Sequence, residues 1–447
     1  MKALRTVLSP ACLTSPLPLN RRKFHSMMLI RRTPILTGLA VLLVGGLASA
    51  QEVKAEATAE VAAPEETTST VAAPEPAAEP AAVEPAPVGE TVVVDAVVVE
   101  DEAAEDATSG LSYTLFGDAY ATFSTAQPGS GAQYHRAYTA NQGLNQDGFS
   151  LAWVGLDLAY DGGKIGVTTS IRAGSAVNSY FVDSRMFGPV SITQGFVTWK
   201  PIDALAIDVG MFGTIFGAEV AENWYNFNYT RGAVYYGYQP FWHTGARVSY
   251  ALTDKLTLKG FLADDANQIS LLTAGGANST MQAAAQLAYS DGGFTGAVGT
   301  MQTLGEGALS GFDRFVDLVL GYSTDKFGVL FNGDFNVNDT ANSSYLALSA
   351  AARYYFVPAF GVALRGEFIK PNMDVSNNEI VTATLTLDFK PVAGADNLLI
   401  RWDNRVESMS AGGVPMGQNP LFDRDGAPTD AWFESTIGLV AYTSGML

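Results

Sequence analysis

Histidine is the residue type best suited to acid–base and metal chemistry near neutral pH, and this sequence has few of them. The three histidines are His25, His135 and His243, and no two of them have the spacing of metal ligands. The sequence also lacks a Gly-x-Ser-x-Gly nucleophile motif, a Walker phosphate loop and a Gly-x-Gly-x-x-Gly dinucleotide motif. A hydrolase built around His135 or His243 stays as an alternative, but the pattern favours no enzymatic activity, no metal and no cofactor.

Charged side chains are the other groups that could act, and they occur at alternate positions within apolar stretches. In a β-strand such alternation puts the charges on one face and the apolar residues on the other. Rings of charge set ion selectivity when such a face lines a pore, and the balance of signs here argues against strong cation selectivity. The candidates for a water-filled interior are Asp118, Asp157, Asp208, Asp317, Asp334, Glu367, Asp388, Asp403, Lys164, Arg172, Arg247, Lys259, Arg353, Arg365, Lys390, Arg401 and Arg405.

The elements that carry these charges have a sequence period of two. In the stretch 382–390, Thr and Asp alternate with Ala, Leu and Phe, and 112–123 and 164–172 repeat the pattern. A period of two predicts half-buried β-strands. We therefore expect Leu385 and Leu387 to face lipid and Thr386, between them, to face the interior.

Short turns, each closely preceded by an aromatic residue, alternate with longer polar loops after residue 149. This alternation is typical of an up-and-down barrel in an outer membrane, with the aromatics at one membrane interface. Seven turns close fourteen strands, and one strand before them (111–124) and one after them (432–442) bring the total to about sixteen. The turns are 160–163, 199–203, 250–255, 289–293, 322–326, 355–358 and 389–391.

A secreted soluble β-sandwich or β-solenoid is the competing fold, because its strands would alternate in the same way. Sixteen such strands would, however, expose more apolar surface than a soluble monomer tolerates. We therefore expect an all-β, transmembrane antiparallel barrel over residues 109–447.

The first fifty residues have the three parts of a secretory signal peptide. Residues 1–50 hold seven basic side chains and no acid, then an apolar run from 35 to 47, and end in Ala-Ser-Ala. A membrane-spanning helix is the alternative, but it needs about twenty apolar residues. Either Met27 or Met28 could be the true start instead of Met1.

Residues 51–108 form an acidic segment of low complexity, with fifteen acids against Lys54 in a background of Ala, Pro, Val and Thr. Such composition predicts a disordered periplasmic linker, because it cannot bury enough apolar surface to fold. Without residues 1–50 the chain has 45 acids, 19 bases and no cysteine. This composition argues against nucleic acid as a partner and excludes a disulfide framework.

Five segments of the stretch 199–250 carry a family likeness: Gly210-Met211-Phe212-Gly213, Phe216-Gly217-Ala218-Glu219, Glu222-Asn223-Trp224, Asn228-Tyr229-Thr230-Arg231 and 240–250. In order and spacing over about fifty residues, this stretch resembles the OmpL-like family of β-barrel porins. The resemblance implies an outer-membrane porin and names no solute. The end of the chain departs from the usual pattern, because residues 443–447 follow the stretch 438–442 that resembles a barrel-assembly signal.

The loop 213–243 is the third of the outward loops and is rich in aromatic residues. In general porins the corresponding loop folds into the barrel and narrows it, which is an analogy at the level of the fold. We expect Glu219, Glu222 and Arg231 to form a pore constriction opposite the arginines of the late strands. An extracellular cap or a contact between subunits is the alternative.

These observations predict a porin in the outer membrane of a Gram-negative bacterium, through which ions and small polar solutes diffuse passively. Its partners would be outer-membrane lipid, the barrel-insertion machinery and the solutes, with a homotrimer and a peptidoglycan contact of 51–108 as further expectations. The first rival is a structural or adhesive barrel tethered to the cell wall by 51–108. The second rival is a barrel enzyme that acts on lipid.

Overall fold

The computed structural model describes most of the chain from Gly110 onward. The predicted signal peptide (1–50) and acidic linker (51–108) lie outside the described residues, as does His135, and they stay predictions. The described residues are 110–128, 148–177, 185–187, 190–264, 266, 280–304, 311–339, 342–374, 379–392, 397–410, 421–423 and 428–447.

Sixteen long strands follow one another along the chain, and each is antiparallel to its neighbours. Between β5 and β6 lie a 3-10 helix (Asn223–Tyr225) and the short helix α1 (Ala233–Tyr238). No helix in the described part of the chain is both long and apolar enough to span a bilayer. The strands are β1 (Gly110–Ser124), β2 (Gly148–Asp161), β3 (Ile165–Ala173), β4 (Val190–Ile202), β5 (Leu205–Gly213), β6 (Trp242–Ala251), β7 (Leu256–Asp264), β8 (Met281–Asp291), β9 (Phe294–Leu304), β10 (Arg314–Ser323), β11 (Phe327–Asn338), β12 (Ser343–Val357), β13 (Phe360–Lys370), β14 (Ile380–Phe389), β15 (Leu398–Met409) and β16 (Ala431–Met446).

The sheet closes on itself because β1 pairs with both β2 and β16. Closure removes the unpaired edges that a sheet would otherwise present. The closed antiparallel barrel of sixteen strands confirms the predicted fold class. The last strand, however, runs to Met446 and not to about 442, because residues 443–446 pair with residues 112–115 of β1.

Seven connections, most of them tight turns, join the strands at one end of the barrel, which we call the turn end. The turn between β8 and β9 has two glycines with positive φ, Gly292 (56°) and Gly293 (83°), which suits a two-residue hairpin turn. The other connections lie at the opposite end, the loop end. Exposed aromatic rings mark the turn end: Tyr160, Trp199, Tyr250, Tyr289, Tyr322, Phe356 and Phe389.

The two faces of each strand differ as the sequence period predicts. On β10, Asp317 and Val319 are buried inside the barrel, whereas Leu318 and Leu320 are exposed on the outside. The outer apolar band is suited to contact with lipid hydrocarbon. The buried residues of the molecule therefore lie within the barrel, where wall side chains pack against the connection between β5 and β6.

Candidate functional site

The connection between β5 and β6, residues 214–241, lies inside the barrel and is called the inner segment below. The hydroxyl of Tyr229 donates a hydrogen bond to Asp118 on β1 (2.7 Å). The backbone N–H of Gly217 donates one to Asp317 on β10 (3.3 Å). Because β1 and β10 lie on opposite sides of the closed sheet, the segment crosses the lumen. The segment lies within the loop 213–243 that the sequence predicts to fold inward, and the narrowing of a pore by this loop stays a prediction.

Aromatic rings of the inner segment lie directly over glycines of the barrel wall. The ring of Tyr229 covers Gly438 on β16, and the ring of Phe227 covers Gly328 on β11. A methyl group at either glycine would overlap the ring above it. The wall therefore has recesses that match the segment, which indicates close docking against it.

Glu219 of the inner segment forms an ion pair with Arg365 on β13. One carboxylate oxygen accepts a hydrogen bond from the Arg365 guanidinium (2.6 Å), and the other accepts one from the backbone N–H of Gly232 (2.6 Å). Arg365 also lies 3.4 Å from Glu367 on its own strand. Burial raises the pKa of Glu219, and the charge of Arg365 opposes that effect. This pair joins the segment to Arg365, one of the late-strand arginines, and the role of Glu219 in a pore constriction stays a prediction.

Glu222 of the inner segment pairs with the wall on the other side of the lumen. Its carboxylate accepts a hydrogen bond from Arg172 on β3 (2.7 Å). The same guanidinium contacts Asp157 on β2 (2.8 Å) and lies 4.6 Å from the centre of the Phe116 ring. Arg172 is therefore held between two carboxylates, and Glu222 faces an early strand instead of the late arginines.

Arg401 on β15 binds the backbone of the inner segment. Its guanidinium donates hydrogen bonds to the carbonyl oxygens of Asn223 (2.5 Å), Asn226 (3.0 Å) and Phe227 (2.7 Å). It also pairs with Asp388, the residue directly opposite on β14 (2.5 Å). Both side chains of this ion pair are almost fully buried. This ion pair joins β14 to β15 and holds the guanidinium in place, and removal of one partner from a buried ion pair typically costs about 3–5 kcal/mol. The hydrogen bonds from the same guanidinium to three carbonyl oxygens attach the segment to the wall.

Two further residues of β15 hold the same part of the segment. Asp403 accepts hydrogen bonds from the backbone N–H groups of Tyr229 (3.2 Å) and Thr230 (2.7 Å). Arg405 donates to the carbonyl oxygen of Arg231 (3.0 Å) and pairs with Glu407 on its own strand (2.8 Å). The charges of β15 thus bind peptide groups that would otherwise be buried without partners.

Arg231 is fully buried within the inner segment. It donates hydrogen bonds to the carbonyl oxygens of Tyr229 (3.4 Å) and Ala221, and it lies near the ring of Trp153 on the wall. Arg231 thus connects two parts of the segment. Asp118, beside it on β1, accepts a hydrogen bond from Asn223 (2.7 Å) as well as from Tyr229.

Two carboxylates on β10 and β11 hold the opposite side of the segment. Asp317 and Asp334 are paired residues on neighbouring strands, and both are fully buried. The amide of Asn332 donates hydrogen bonds to both of them, at 2.9 Å and 3.1 Å. Gln239 of the segment donates a hydrogen bond to Asp334 (2.9 Å). This attachment consists of neutral amides and carboxylates, unlike the arginine contacts on β13 and β15.

Five further predicted wall residues lie on or beside β3, β5, β6, β7 and β14. Asp208 and Arg247 are paired across β5 and β6 and joined by two hydrogen bonds (3.0 and 2.9 Å). Lys164 is exposed in the turn before β3, and Lys259 is buried on β7. Lys390, after β14, lies 4.9 Å from the centre of the Tyr355 ring.

Arg353 on β12 differs from the other arginines of the inner wall. Its guanidinium lies 4.6 Å from the centre of the Phe227 ring and 5.2 Å from that of Tyr355. The side chain is partly exposed. Within the described residues no carboxylate pairs with it.

A narrow space remains between the inner segment and the wall formed by β11, β12 and β13. It is lined by Leu330, Ser349 and Ala351 of the wall and by Glu219 and Phe227 of the segment. On β12 the interior residues Ser349, Ala351 and Arg353 are partly exposed, whereas the interior charges of β15 are almost fully buried under the segment. This pocket is the candidate position of a path through the barrel, called the candidate path below.

Besides its charged side chains, the described part of the interior contains one histidine. His243 is buried, with its Nε2 atom 3.2 Å from the hydroxyl of Thr214 and its ring against Phe261. Among the described residues, no group of three or more His, Cys, Asp or Glu side chains is placed to hold a metal ion.

Several residues that attach the segment are not among the site residues predicted from the sequence, all of which carry a charge. Tyr229, Thr230 and Gly217 bind the wall through backbone N–H groups, and Gln239 of the segment donates to the wall through its amide. On the wall, the amide oxygen of Asn332 accepts a hydrogen bond from the backbone N–H of Ala218 (3.0 Å). The Asn-Tyr-Thr-Arg run that carries part of the family resemblance was the available signal.

A closed barrel of sixteen strands, with an apolar outer band, a charged interior and an inward third loop, defines an outer-membrane barrel of the porin type. Residues 110–433 match the family described as "Putative beta-barrel porin-2, OmpL-like". The chain belongs to this family, which confirms the resemblance seen in the sequence. Family membership and the barrel fold support a location in an outer membrane.

Three solved structures are similar to this chain at low sequence identity. The anion-selective porin from Comamonas acidovorans has a TM-score of 0.50 and 12% identity, over 75% of this chain and 100% of that one. OprB of Pseudomonas putida has a TM-score of 0.46 and 12% identity, over 75% and 94%. The channel DcaP of Acinetobacter baumannii has a TM-score of 0.45 and 13% identity, over 75% and 97%. A search of curated proteins finds no match.

Proposed function

We propose that this protein is a porin, through which ions and small polar solutes diffuse passively across the outer membrane. The observation that carries the proposal is the space along β11–β13, between a polar inner wall and the inner segment. Barrels of about this strand number are wide enough to hold an aqueous channel. Polar and charged side chains favour water in such a channel, and the apolar outer band favours lipid around it.

We propose further that the inner segment is the constriction of this pore. Glu219 pairs with Arg365 on one side of the lumen and Glu222 with Arg172 on the other, so opposite charges flank the segment. Arg231 supports the segment from within. Of the predicted wall charges, several are covered by the segment, whereas Arg353 on β12 is partly exposed and lines the pore beside it. Such an arrangement limits solute size and orients polar solutes in a transverse field.

The second candidate is a structural or adhesive barrel without an open channel. One observation favours it: Asp118, Asp317, Arg401 and Arg405 are at most 2% exposed. The segment thus excludes solvent from the wall on β1, β10 and β15. In this role the acidic arm 51–108 would tether the barrel to the cell wall, which a pull-down of the full chain with peptidoglycan tests.

The proposed porin is not an enzyme and takes no nucleic acid partner. Its partners are outer-membrane lipid, the insertion machinery that assembles barrels, and the permeating solutes. Assembly as a homotrimer is part of the proposal, and cross-linking in detergent followed by mass determination tests it.

Current recording in a planar lipid bilayer tests the proposed function. The folded full-length protein is added to one side of the bilayer in a potassium chloride solution, and a voltage is applied. A porin produces discrete upward steps of current as single barrels insert. Folded protein that inserts without any current step contradicts the porin and supports the closed structural barrel.

A further inference from the structure

Most of the arginines on the described inner wall form ion pairs with carboxylates. Within the described residues, each strand arginine that faces the interior has an acidic partner, with the exception of Arg353. The pairs are Arg172 with Asp157 and Glu222, Arg247 with Asp208, Arg365 with Glu219 and Glu367, Arg401 with Asp388, and Arg405 with Glu367 and Glu407.

The surroundings of Arg353 leave its guanidinium open to a solute. The residues directly opposite it on the neighbouring strands are Gly328 and Ala363, which have little or no side chain. Aromatic rings of Phe227 and Tyr355 contact the guanidinium instead of a carboxylate. Stacking on an aromatic ring holds a guanidinium in place and leaves its N–H groups available for hydrogen bonds.

Arg353 also lies next to the candidate path. Ala351, two residues before it on the same face of β12, lines that space, and so does Phe227. Lys390 Nζ lies over the same Tyr355 ring that Arg353 contacts, close to the turn end of the barrel. A solute that leaves the space on this side meets positive charge.

We propose that Arg353, with Lys390 beside it, forms an anion-binding step at the turn end of the path, for solutes that carry a carboxylate or phosphate group. This inference rests on the proposed porin function and adds the charge class of the solute. A guanidinium matches the two oxygens of a carboxylate or phosphate with two parallel hydrogen bonds. The pore therefore favours anions, although the chain as a whole is acidic.

The first test is the reversal potential of the full-length protein in a tenfold gradient of potassium chloride. Arg353→Gln lowers the ratio of chloride to potassium permeability by about two- to fivefold. The reason is that one unit charge about 8 Å from an ion in water changes the local concentration of each ion about twofold, in opposite directions. The matched control is Arg314→Gln, which removes the same charge from an exposed side chain paired with Asp339, and it leaves the ratio unchanged.

The second test uses inorganic phosphate as the probe. Phosphate added on the side of the turns reduces the chloride current of the wild type and has less effect on Arg353→Gln. Arg353→Lys keeps the charge but loses the bidentate hydrogen bonding of a guanidinium. This variant therefore retains the ratio of chloride to potassium permeability and binds phosphate more weakly. If Arg353→Gln conducts with an unchanged ratio and an unchanged response to phosphate, the anion step is refuted and the pore stands. A wild type without current refutes the pore and the anion step together.

Discussion

Substitution of Gly438 by alanine is expected to loosen the inner segment without a change of charge. Gly438 lies on β16, and the three atoms nearest to an added methyl group are all ring carbons of Tyr229. The ring must move, and its hydroxyl then loses the hydrogen bond to Asp118 (2.7 Å). The substitution thus disturbs one attachment of the segment and leaves the strand pairing of β16 intact.

The size of the effect follows from these two contacts. Overfilling a well-packed interior costs about 1–3 kcal/mol. A hydrogen bond to a charged group contributes about 1.5–3 kcal/mol. Because the two losses share one ring they do not simply add, and we expect a loss of about 2–5 kcal/mol in the docking free energy. Since about 1.4 kcal/mol corresponds to a factor of ten, the undocked population rises about thirtyfold or more.

Amide hydrogen exchange measured by mass spectrometry reports this population directly. The backbone N–H groups of Tyr229 and Thr230 are bonded to Asp403 in the docked state, so they exchange through local opening. Gly438→Ala speeds their exchange about thirtyfold or more. Gly366→Ala is the matched control, because an added methyl group there meets no atom within 4 Å. Equal exchange in the two variants would refute the docking geometry.

Two further predictions concern the outer face and the charges of the segment. Leu385→Arg, midway along β14, lowers the free energy of barrel unfolding by about 2–4 kcal/mol, and Leu387→Arg, nearer the turn end, lowers it by less. Denaturant titration in detergent or lipid measures both values. A larger loss at Leu387 would contradict the position of Leu385 nearer the middle of the membrane. The double variant Glu219→Gln with Glu222→Gln shifts the reversal potential toward anions, because two wall arginines lose one carboxylate each. Glu379→Gln removes an exposed carboxylate that pairs with Lys370 and is its control, and an equal shift in both proteins would show that the segment charges do not act on the path.

The barrel was predictable from the sequence because its rules are local. The alternation around Thr386 showed which side chains face inward, and the turns with their aromatic residues gave the number of strands. The same alternation could not show that Thr386 is bonded to Asn228 (2.6 Å) and Asp403 (2.6 Å) and so lies under the segment. An inward position on a strand does not distinguish open lumen from wall covered by a loop.

The attachments of the inner segment were only partly predictable, because they join residues far apart in the chain. Glu219 and Arg365 could be paired from their charges and from the analogy with general porins. The hydrogen bonds from Arg401 to carbonyl oxygens of residues 223–227 could not be predicted from the local sequence, since every residue has a carbonyl group. The open guanidinium of Arg353 likewise emerges only when the partners of the other arginines are known.

The most direct test of the account compares the single-channel conductance of the full-length protein with that of a variant lacking residues 218–230, in the same planar bilayer. The deletion removes the part of the segment that carries Glu219, Glu222 and the contacts to Asp118 and Arg401. A porin narrowed by this segment gives discrete current steps in the wild type and larger steps in the variant. A silent wild type beside a conducting variant would contradict the account and identify the segment as a plug of a structural barrel.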